Sequence, residues 1–205
     1  MLNLGLIFVL GTMTSIFLNI FLQNKYTHYE LTNNHLVLSG LLSVIFSIVI
    51  SFKLSNYDYF CNLSEYIRVL FLVVSGVMSG TLSSSFIIDI LFRELPDENN
   101  IIIGLSILVI SAGTLGYKVI FSSIIMFIIF IILSLLTGQF GMGDVKMMFF
   151  MGLGMLPERI IHFLFTSFLI AFIYSIYIIL FKKSRYDNTI PFGPFLIIGF
   201  LKTIL

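Results

Sequence analysis

The chain has 205 residues, of which 59% are hydrophobic and 10% are charged, and its formal net charge is +1. An ordinary soluble domain is about 45–50% apolar and about 25% charged, so too few polar residues are present to cover the apolar surface. The composition excludes a soluble globular protein and predicts a chain that buries its surface in a lipid bilayer. The near-neutral charge argues against nucleic acid as a partner. The single cysteine, Cys61, excludes a disulfide framework and a zinc site of paired Cys-x-x-Cys motifs.

Apolar runs follow one another along the chain, most of them at the roughly 17–25 residues that a membrane-spanning helix requires. They are apolar on every face, unlike the alternating residues of membrane strands. The sequence therefore predicts an all-α, polytopic transmembrane bundle with short loops, in which residues 1–205 form a single domain. The sixth run is short and contains glycine, which favours a tilted or half-buried helix. About eight spans are predicted: Leu2–Leu22, Leu36–Phe52, Tyr66–Phe92, Ile101–Tyr117, Val119–Leu136, Lys146–Leu156, Arg159–Phe181 and Phe192–Leu205.

The distribution of basic residues predicts the orientation of the bundle. The first cation, Lys25, follows the first apolar run, which predicts an uncleaved first span with its N-terminus outside the cell membrane. Eight spans then place four loops on the cytoplasmic side, and the last of these carries the densest basic cluster (Lys182, Lys183 and Arg185). We expect a multi-pass protein of the inner (plasma) membrane whose cytoplasmic loops are Gln23–His35, Arg93–Asn100, Gly138–Val145 and Lys182–Ile190.

One carboxylate lies inside an apolar run. Asp89 is flanked by Phe86-Ile87-Ile88 and Ile90-Leu91-Phe92, and a charged side chain within a span costs roughly 2.5–3.5 kcal/mol on insertion scales. Such residues mark functional sites by default. The alternative is that Asp89, near the end of its span, extends to water.

A second carboxylate begins the short sixth run. Asp144 lies in Gly141-Met142-Gly143-Asp144-Val145-Lys146. Gly141 and Gly143 lack a Cβ, so another chain can approach their backbone closely. The alternative is a flexible loop that ends in an aspartate cap, whose oxygen accepts free N–H groups at the helix start. Lys146 has two interpretations: it anchors the helix at the interface, or its charge lowers the pKa of a nearby aspartate.

The two aspartates together are more specific than either alone. Both fall at cytoplasmic ends of predicted spans, so packing of these helices would bring the carboxylates together. Two carboxylates in one site cannot both ionise easily, and the pair then supplies one acid and one base. This arrangement suits amide hydrolysis by a water molecule activated between them. Asp97, beside Pro96, is interpreted as the cap region of the fourth span.

Four segments resemble those of the type IV prepilin leader peptidases, in the same order and over essentially the whole chain. Asp89 with Leu95-Pro96-Asp97 resembles the first catalytic motif of that family, and Gly141-Met142-Gly143-Asp144-Val145-Lys146 resembles its Gly-x-Gly-Asp-x-Lys signature. Pro191-Phe192-Gly193-Pro194 resembles the segment that opens the last span, and Phe17-Leu18-Asn19 resembles a stretch of the first span.

The resemblance implies a membrane aspartyl endopeptidase in which Asp89 and Asp144 are the catalytic pair. Its members remove a basic leader from prepilins and pilin-like proteins (pseudopilins), at the cytoplasmic face and after a glycine that precedes an apolar helix. Longer members carry a cytoplasmic domain with two Cys-x-x-Cys pairs and methylate the new terminus with S-adenosylmethionine. The loop Gln23–His35 is short and has no cysteine. We therefore expect no zinc and no cofactor for the peptidase, and the sequence leaves open whether the chain transfers a methyl group from S-adenosylmethionine.

A second class of function uses the same two residues. A small proton-coupled transporter would carry protons on Asp89 and Asp144. Transporters often contain internal repeats and midplane sites; the sequence has no visible repeat, and both aspartates lie near one face. The sequence leaves open the oligomeric state, which prepilin is cleaved, and whether the product serves a pilus, secretion or DNA uptake.

Overall fold

The computed structural model describes residues 2–56, 63–112, 115–138, 140–181 and 190–204. In these ranges the chain is helical, with no strand, which confirms the predicted all-α bundle. The cluster Lys182, Lys183 and Arg185 and the thiol of Cys61 lie outside the described residues. The described helices are α1 (Leu2–Lys25), α2 (Asn33–Ser55), α3 (Glu65–Phe92), α4 (Asp97–Ala112), α5 (Lys118–Thr137), α6 (Met142–Gly152), α7 (Ile160–Phe181) and α8 (Gly193–Thr203), with a 3₁₀ turn at Pro157–Arg159.

Each predicted span corresponds to a helix, but the helices are of two kinds. Within the described ranges, five stretches are long and apolar enough to cross a membrane: Gly5–Lys25, Asn33–Ser55, Glu65–Phe92, Lys118–Thr137 and Pro157–Phe181. The other three helices have 16, 11 and 11 residues. At about 1.5 Å per residue they are shorter than the roughly 30 Å of a bilayer core. The N-termini of these short helices, α4, α6 and α8, meet near Asp89 at the end of the long helix α3.

The long helix α3 is the centre of the bundle, with 78% of its most apolar stretch buried. Small residues let α1 and α2 approach it, as expected for helices packed in lipid. A Cβ placed on Gly80 would lie 2.5 Å from the backbone oxygen of Gly11. Buried serines join the helices: Ser47 and Ser79 are 2.7 Å apart at their hydroxyl oxygens, and Ser83 donates to Ser15 at 2.9 Å. The α1–α2–α3 unit is therefore a rigid support on which the aspartate of α3 is carried.

The described parts of the first three loops predicted to share one side of the membrane lie at one end of the bundle, together with the start of α8. Tyr29 of the first loop contacts Glu94 of the second. The ring of Phe140, in the third loop, lies 5.0 Å from that of Phe192, the N-cap of α8. At the opposite end, cations bind the last carbonyl groups of α8: Lys53 Nζ donates to the Lys202 oxygen and Arg159 to the Thr203 oxygen, at 2.8 and 3.3 Å. Such contacts satisfy the free carbonyls of a helix C-terminus.

Candidate active site

Asp89 lies in the last turn of α3 and is only 4% exposed. Its Oδ2 accepts a hydrogen bond of 2.8 Å from the backbone N–H of Gly193, the first residue of α8. The first N–H groups of a helix have no partner within the helix, and the helix dipole favours negative charge there. The alternative interpretation, in which Asp89 extends to bulk water, is therefore wrong. The carboxylate is turned inward and held by the N-terminus of another helix.

The sequence around Gly193 explains why this contact forms. A Cβ on Gly193 would lie 2.7 Å from Asp89 Oδ2, closer than any side chain tolerates. Pro194, in the first turn of α8, has no N–H to satisfy and a backbone angle preset for a helix. Sequence reasoning used the Pro-Phe-Gly-Pro segment only as a resemblance and missed the bond to Asp89. The segment itself was the available signal.

Asp144 lies in the first turn of α6, three residues after the N-cap Gly141. Its carboxyl group lies close to the backbone of Gly141. Its other oxygen, Oδ1, is buried, and no described residue hydrogen-bonds to it. The carboxyl groups of both aspartates thus lie beside the N-terminus of a short helix, that of α8 for Asp89 and that of α6 for Asp144. Asp144 keeps one oxygen free of protein partners within the described chain.

Both aspartates line one cavity of about 370 Å³, and they are close enough for their charges to interact. Of the seven site residues predicted from the sequence, six lie in its wall; Lys146 lies just outside and reaches it through Asp97. The described residues that line the cavity are Tyr26, Tyr29, Asp89, Arg93, Glu94, Leu95, Pro96, Asp97, Gly141, Gly143 and Asp144.

The start of α4 and the residues just before it pack against the segment that carries Asp144. Leu95 lies over Gly143, where a Cβ would be 3.0 Å from the Leu95 Cβ. The buried Asn100 donates from Nδ2 to the Gly143 oxygen at 3.3 Å. The ammonium group of Lys146 lies 2.8 Å from both carboxylate oxygens of Asp97. Asp97 is the first residue of α4, as its interpretation as a helix cap requires, and Lys146 binds Asp97 rather than an active-site aspartate.

Arg93 redirects the chain between α3 and α4. It has a φ of 58° in the left-handed region, which costs a non-glycine residue roughly 1–2 kcal/mol. Its N–H donates to the Asp89 backbone oxygen at 2.9 Å and closes the helix. The turn sends residues 94–96 across the cavity and over Gly143. A strained residue beside a carboxylate pair is a further mark of a functional site, and nothing in the sequence indicated it.

The loop between α1 and α2 forms another wall of the cavity. The Tyr29 hydroxyl donates to Glu94 Oε2 at 3.0 Å, and His28 Nε2 is 3.0 Å from the same oxygen. The hydrogen bond to His28 lowers the pKa of Glu94 from its ordinary value of 4.5, whereas burial, and then the bond to Glu94, raises the pKa of Tyr29. Tyr26 and Lys25 hold Glu98 in the same way. Two acidic side chains thus fix the loop against the segment that follows Asp89.

A pair of carboxyl groups in a polar cavity at the end of a bundle can perform acid–base chemistry on a molecule held between them. Interacting groups of this kind titrate as a unit. Comparison with known families supports this interpretation independently of the geometry. Residues 76–176, about half of the chain, match the model of the type IV leader peptidase family. That segment contains both aspartates and ends before Gly193.

The chain has no significant match among the curated proteins or the solved structures. The family match agrees with the resemblance seen in the order of the motifs and with the helical membrane fold. The chain belongs to the type IV leader peptidase family and is a membrane protease.

Proposed function

We propose that this protein is an aspartyl endopeptidase that removes the leader from prepilins or pilin-like proteins. The cut falls after a glycine, at the cytoplasmic face of the inner membrane, and precedes the apolar helix of the substrate. The observation that carries the proposal is the shared cavity of Asp89 and Asp144, in which the first is fixed by the Gly193 N–H. The family match adds the type of reaction.

The proposed reaction needs one ionised and one protonated aspartate. The ionised carboxylate removes a proton from water while the protonated one donates a hydrogen bond to the scissile carbonyl oxygen. The water oxygen forms a bond to the carbonyl carbon. The C–N bond then breaks, and the leaving amine takes a proton from the pair. Because the carboxyl groups share their protons, neither role is assigned to one residue.

The charge of the cavity suits a basic leader. Four carboxylates line its described wall, those of Asp89, Glu94, Asp97 and Asp144, against one cation, Arg93. Complementary charge steers and orients a substrate more than it tightens binding. The position of the cavity at the end of the bundle also gives access to water, which the hydrocarbon core lacks.

The first test is leader removal from a prepilin co-expressed with this chain. Asp89→Asn and Asp144→Asn should each abolish cleavage, because each removes one partner of the acid–base pair; a loss of about 10²–10⁴-fold is typical of such groups. Ser55→Ala, at the opposite end of the bundle, serves as the matched control. Cleavage that survives either asparagine variant would overturn the catalytic assignment. Proton flux that needs Asp89 in vesicles, without cleavage, would favour the transporter.

A further inference from the structure

A second cavity lies directly beside the first, on the lipid-facing side of α4. It has a volume of about 230 Å³ and lies between α4, α5 and α6. Its walls are the side chains of Ile101, Phe127, Phe149 and Phe150, with Asn100 at its inner edge. We call these four apolar residues and the space between them the phenylalanine groove. Ile101 is 51% exposed, so the groove is open at its outer side.

The two cavities meet at one ion pair. Asp97 lines both of them, and its partner Lys146 lines the groove. On one side of this pair stand the carboxylates of the catalytic cavity. On the other side the lining is almost wholly hydrocarbon and aromatic. The surface therefore changes from acidic to apolar over the length of one salt bridge.

We propose that the phenylalanine groove binds the first turns of the substrate's apolar helix, on the mature side of the scissile bond. This inference rests on the proposed peptidase function and deepens it by naming the subsite. The substrate has the same polarity pattern as the surface: a basic segment, the cleavage point, then an apolar helix. A chain that places its cleavage point at the aspartates and its basic segment in the acidic cavity reaches the groove with its apolar residues.

The physical fit supports this occupant over an empty lipid-facing crevice. Aromatic side chains bind apolar helices through large contact areas with little loss of side-chain freedom. The rings of Phe127 and Phe149 pack edge to face with their centroids 5.7 Å apart, and those of Phe149 and Phe150 do so at 5.4 Å. These contacts give the groove a fixed shape. Phe150 also packs on Gly104, where a Cβ would lie 2.1 Å from the ring. The wall of the groove is thus supported from behind by α4.

The molecule contains its own control for this proposal. A second apolar groove, of about 250 Å³, runs along another side of α4 and is lined by Val74, Val77, Leu105 and Val109, among others. It shares no residue with the described wall of the catalytic cavity. Leu105 lies one helical turn from Ile101 and is 60% exposed. Ile101 and Leu105 are therefore matched in helix, exposure and chemistry, and differ in which groove they line.

The test is site-specific photo-crosslinking in membranes that contain the full chain. A photoactivatable phenylalanine analogue replaces Ile101 or Leu105 in an Asp144→Asn background that prevents turnover. The probe is a prepilin-type protein with a Lys/Arg-rich leader, a glycine at the junction and an apolar helix of about 20 residues. We expect the Ile101 position to give an adduct that maps to the first two turns of that helix, at least fivefold above the Leu105 position.

Each outcome bears on the proposal. Equal adducts from both positions, a stronger adduct from Leu105, or adducts at Ile101 with lipid acyl chains alone would overturn it. Cleavage of the probe by the unmodified chain, measured in parallel, tests the proposed peptidase function separately from the proposed role of the groove. If the probe is cleaved and Ile101 gives no adduct, the groove assignment fails while the peptidase stands. If nothing is cleaved and no adduct forms, both fail.

As a second measurement, Ile101→Trp fills the groove and Leu105→Trp fills the control groove. We expect Ile101→Trp to raise the KM for the full-length probe about tenfold with kcat little changed, because it blocks binding rather than chemistry. Leu105→Trp should leave both constants within about twofold, since a single exposed substitution on a lipid face has little effect on stability. An unchanged KM in Ile101→Trp contradicts the assignment.

Discussion

Two regions of this protein use glycine and small polar residues to bring helices together, with different results. Between α1 and α3, Gly80 faces the backbone of Gly11, and serines join neighbouring helices. Around the aspartates, Gly143 faces Leu95, and Gly193 faces a carboxylate. In the first region the close approach only packs helices. In the second it sets the position of charged groups that line a cavity.

The difference teaches what a glycine in a membrane helix means. Its lack of a Cβ gives close approach in both regions, so the residue type alone does not separate scaffold from site. The role of the glycine depends on the group that it contacts. In the first region this group is a hydroxyl or a carbonyl, and in the second it is a carboxylate or the loop that supports one. Substitutions in the two regions should therefore change different measured quantities.

The largest effect is expected at Gly193. Gly193→Ala places a Cβ 2.7 Å from Asp89 Oδ2 and must displace the carboxylate or the start of α8. Misplacing a reacting group by about 1 Å can cost 10²-fold in rate, and we expect a loss of that order in kcat for leader cleavage. The thermal unfolding midpoint in detergent should change little. A lower unfolding midpoint with an unchanged specific activity of the folded protein would instead show that Gly193 serves only to pack the helices.

The next effect separates the two glycines of the Asp144 motif. Gly143→Ala brings a Cβ to 3.0 Å from the Leu95 Cβ, whereas at Gly141 the nearest contact is 3.7 Å. Overpacking of this kind costs roughly 1–3 kcal/mol, so Gly143→Ala should lower kcat/KM about tenfold. Gly141→Ala is the matched control and should stay within about twofold. Steady-state cleavage of one prepilin by both variants measures this difference in kcat/KM. Equal losses in kcat/KM would contradict the packing explanation.

In the scaffold region the change should appear in stability. Gly80→Ala places a Cβ 1.8 Å from Thr14 Oγ1 and 2.5 Å from the Gly11 oxygen, and we expect a loss of about 1–3 kcal/mol in the free energy of unfolding. The specific activity of the folded fraction should be unchanged. Gly40, in α2, has open space around it, so Gly40→Ala should be neutral or stabilising by up to about 1 kcal/mol. Unfolding in mixed detergent micelles measures both.

The smallest effect concerns the ion pair of Asp97 and Lys146, whose side chains are 60% and 45% exposed. Exposed pairs contribute about 0.2–1 kcal/mol, so Asp97→Lys or Lys146→Asp alone should lower kcat/KM by less than about tenfold. The double variant that exchanges the two charges should recover most of that loss. If the exchange restores nothing, the pair does not position α6, and Lys146 acts in another way.

Much of the fold and part of the site could be predicted from the sequence. Run length and the absence of polar faces predicted the helices, and an aspartate inside an apolar run identified Asp89, because insertion of a charge is costly. Both aspartates fall at the cytoplasmic ends of predicted spans, and this shared position predicted that they would lie in one cavity. The seven residues proposed for the site lie in or beside that cavity, although their catalytic roles remain a prediction.

The remaining features depend on how distant segments meet. The bond from Gly193 to Asp89 joins residues 104 positions apart, and no periodicity in either segment indicates it. The left-handed conformation of Arg93 is unusual for a residue with a side chain, so composition gives no signal for it. Eight apolar runs are predicted as spans, the sixth as a tilted or half-buried one, yet three of them form helices too short to cross a bilayer core. Hydropathy measures apolar character, and it does not distinguish a helix surrounded by lipid from one surrounded by other helices.

The bond between Asp89 and Gly193 has a consequence for synthesis. A ribosome that has delivered the described helices α1 to α7 to the membrane has already released both aspartates, but the N–H that fixes Asp89 belongs to α8. The proposed acid–base pair is therefore completed only when α8 folds against α3. Until that step a nascent chain lacks the bond that fixes one member of the proposed pair, so we expect leader cleavage to begin only after α8 has folded.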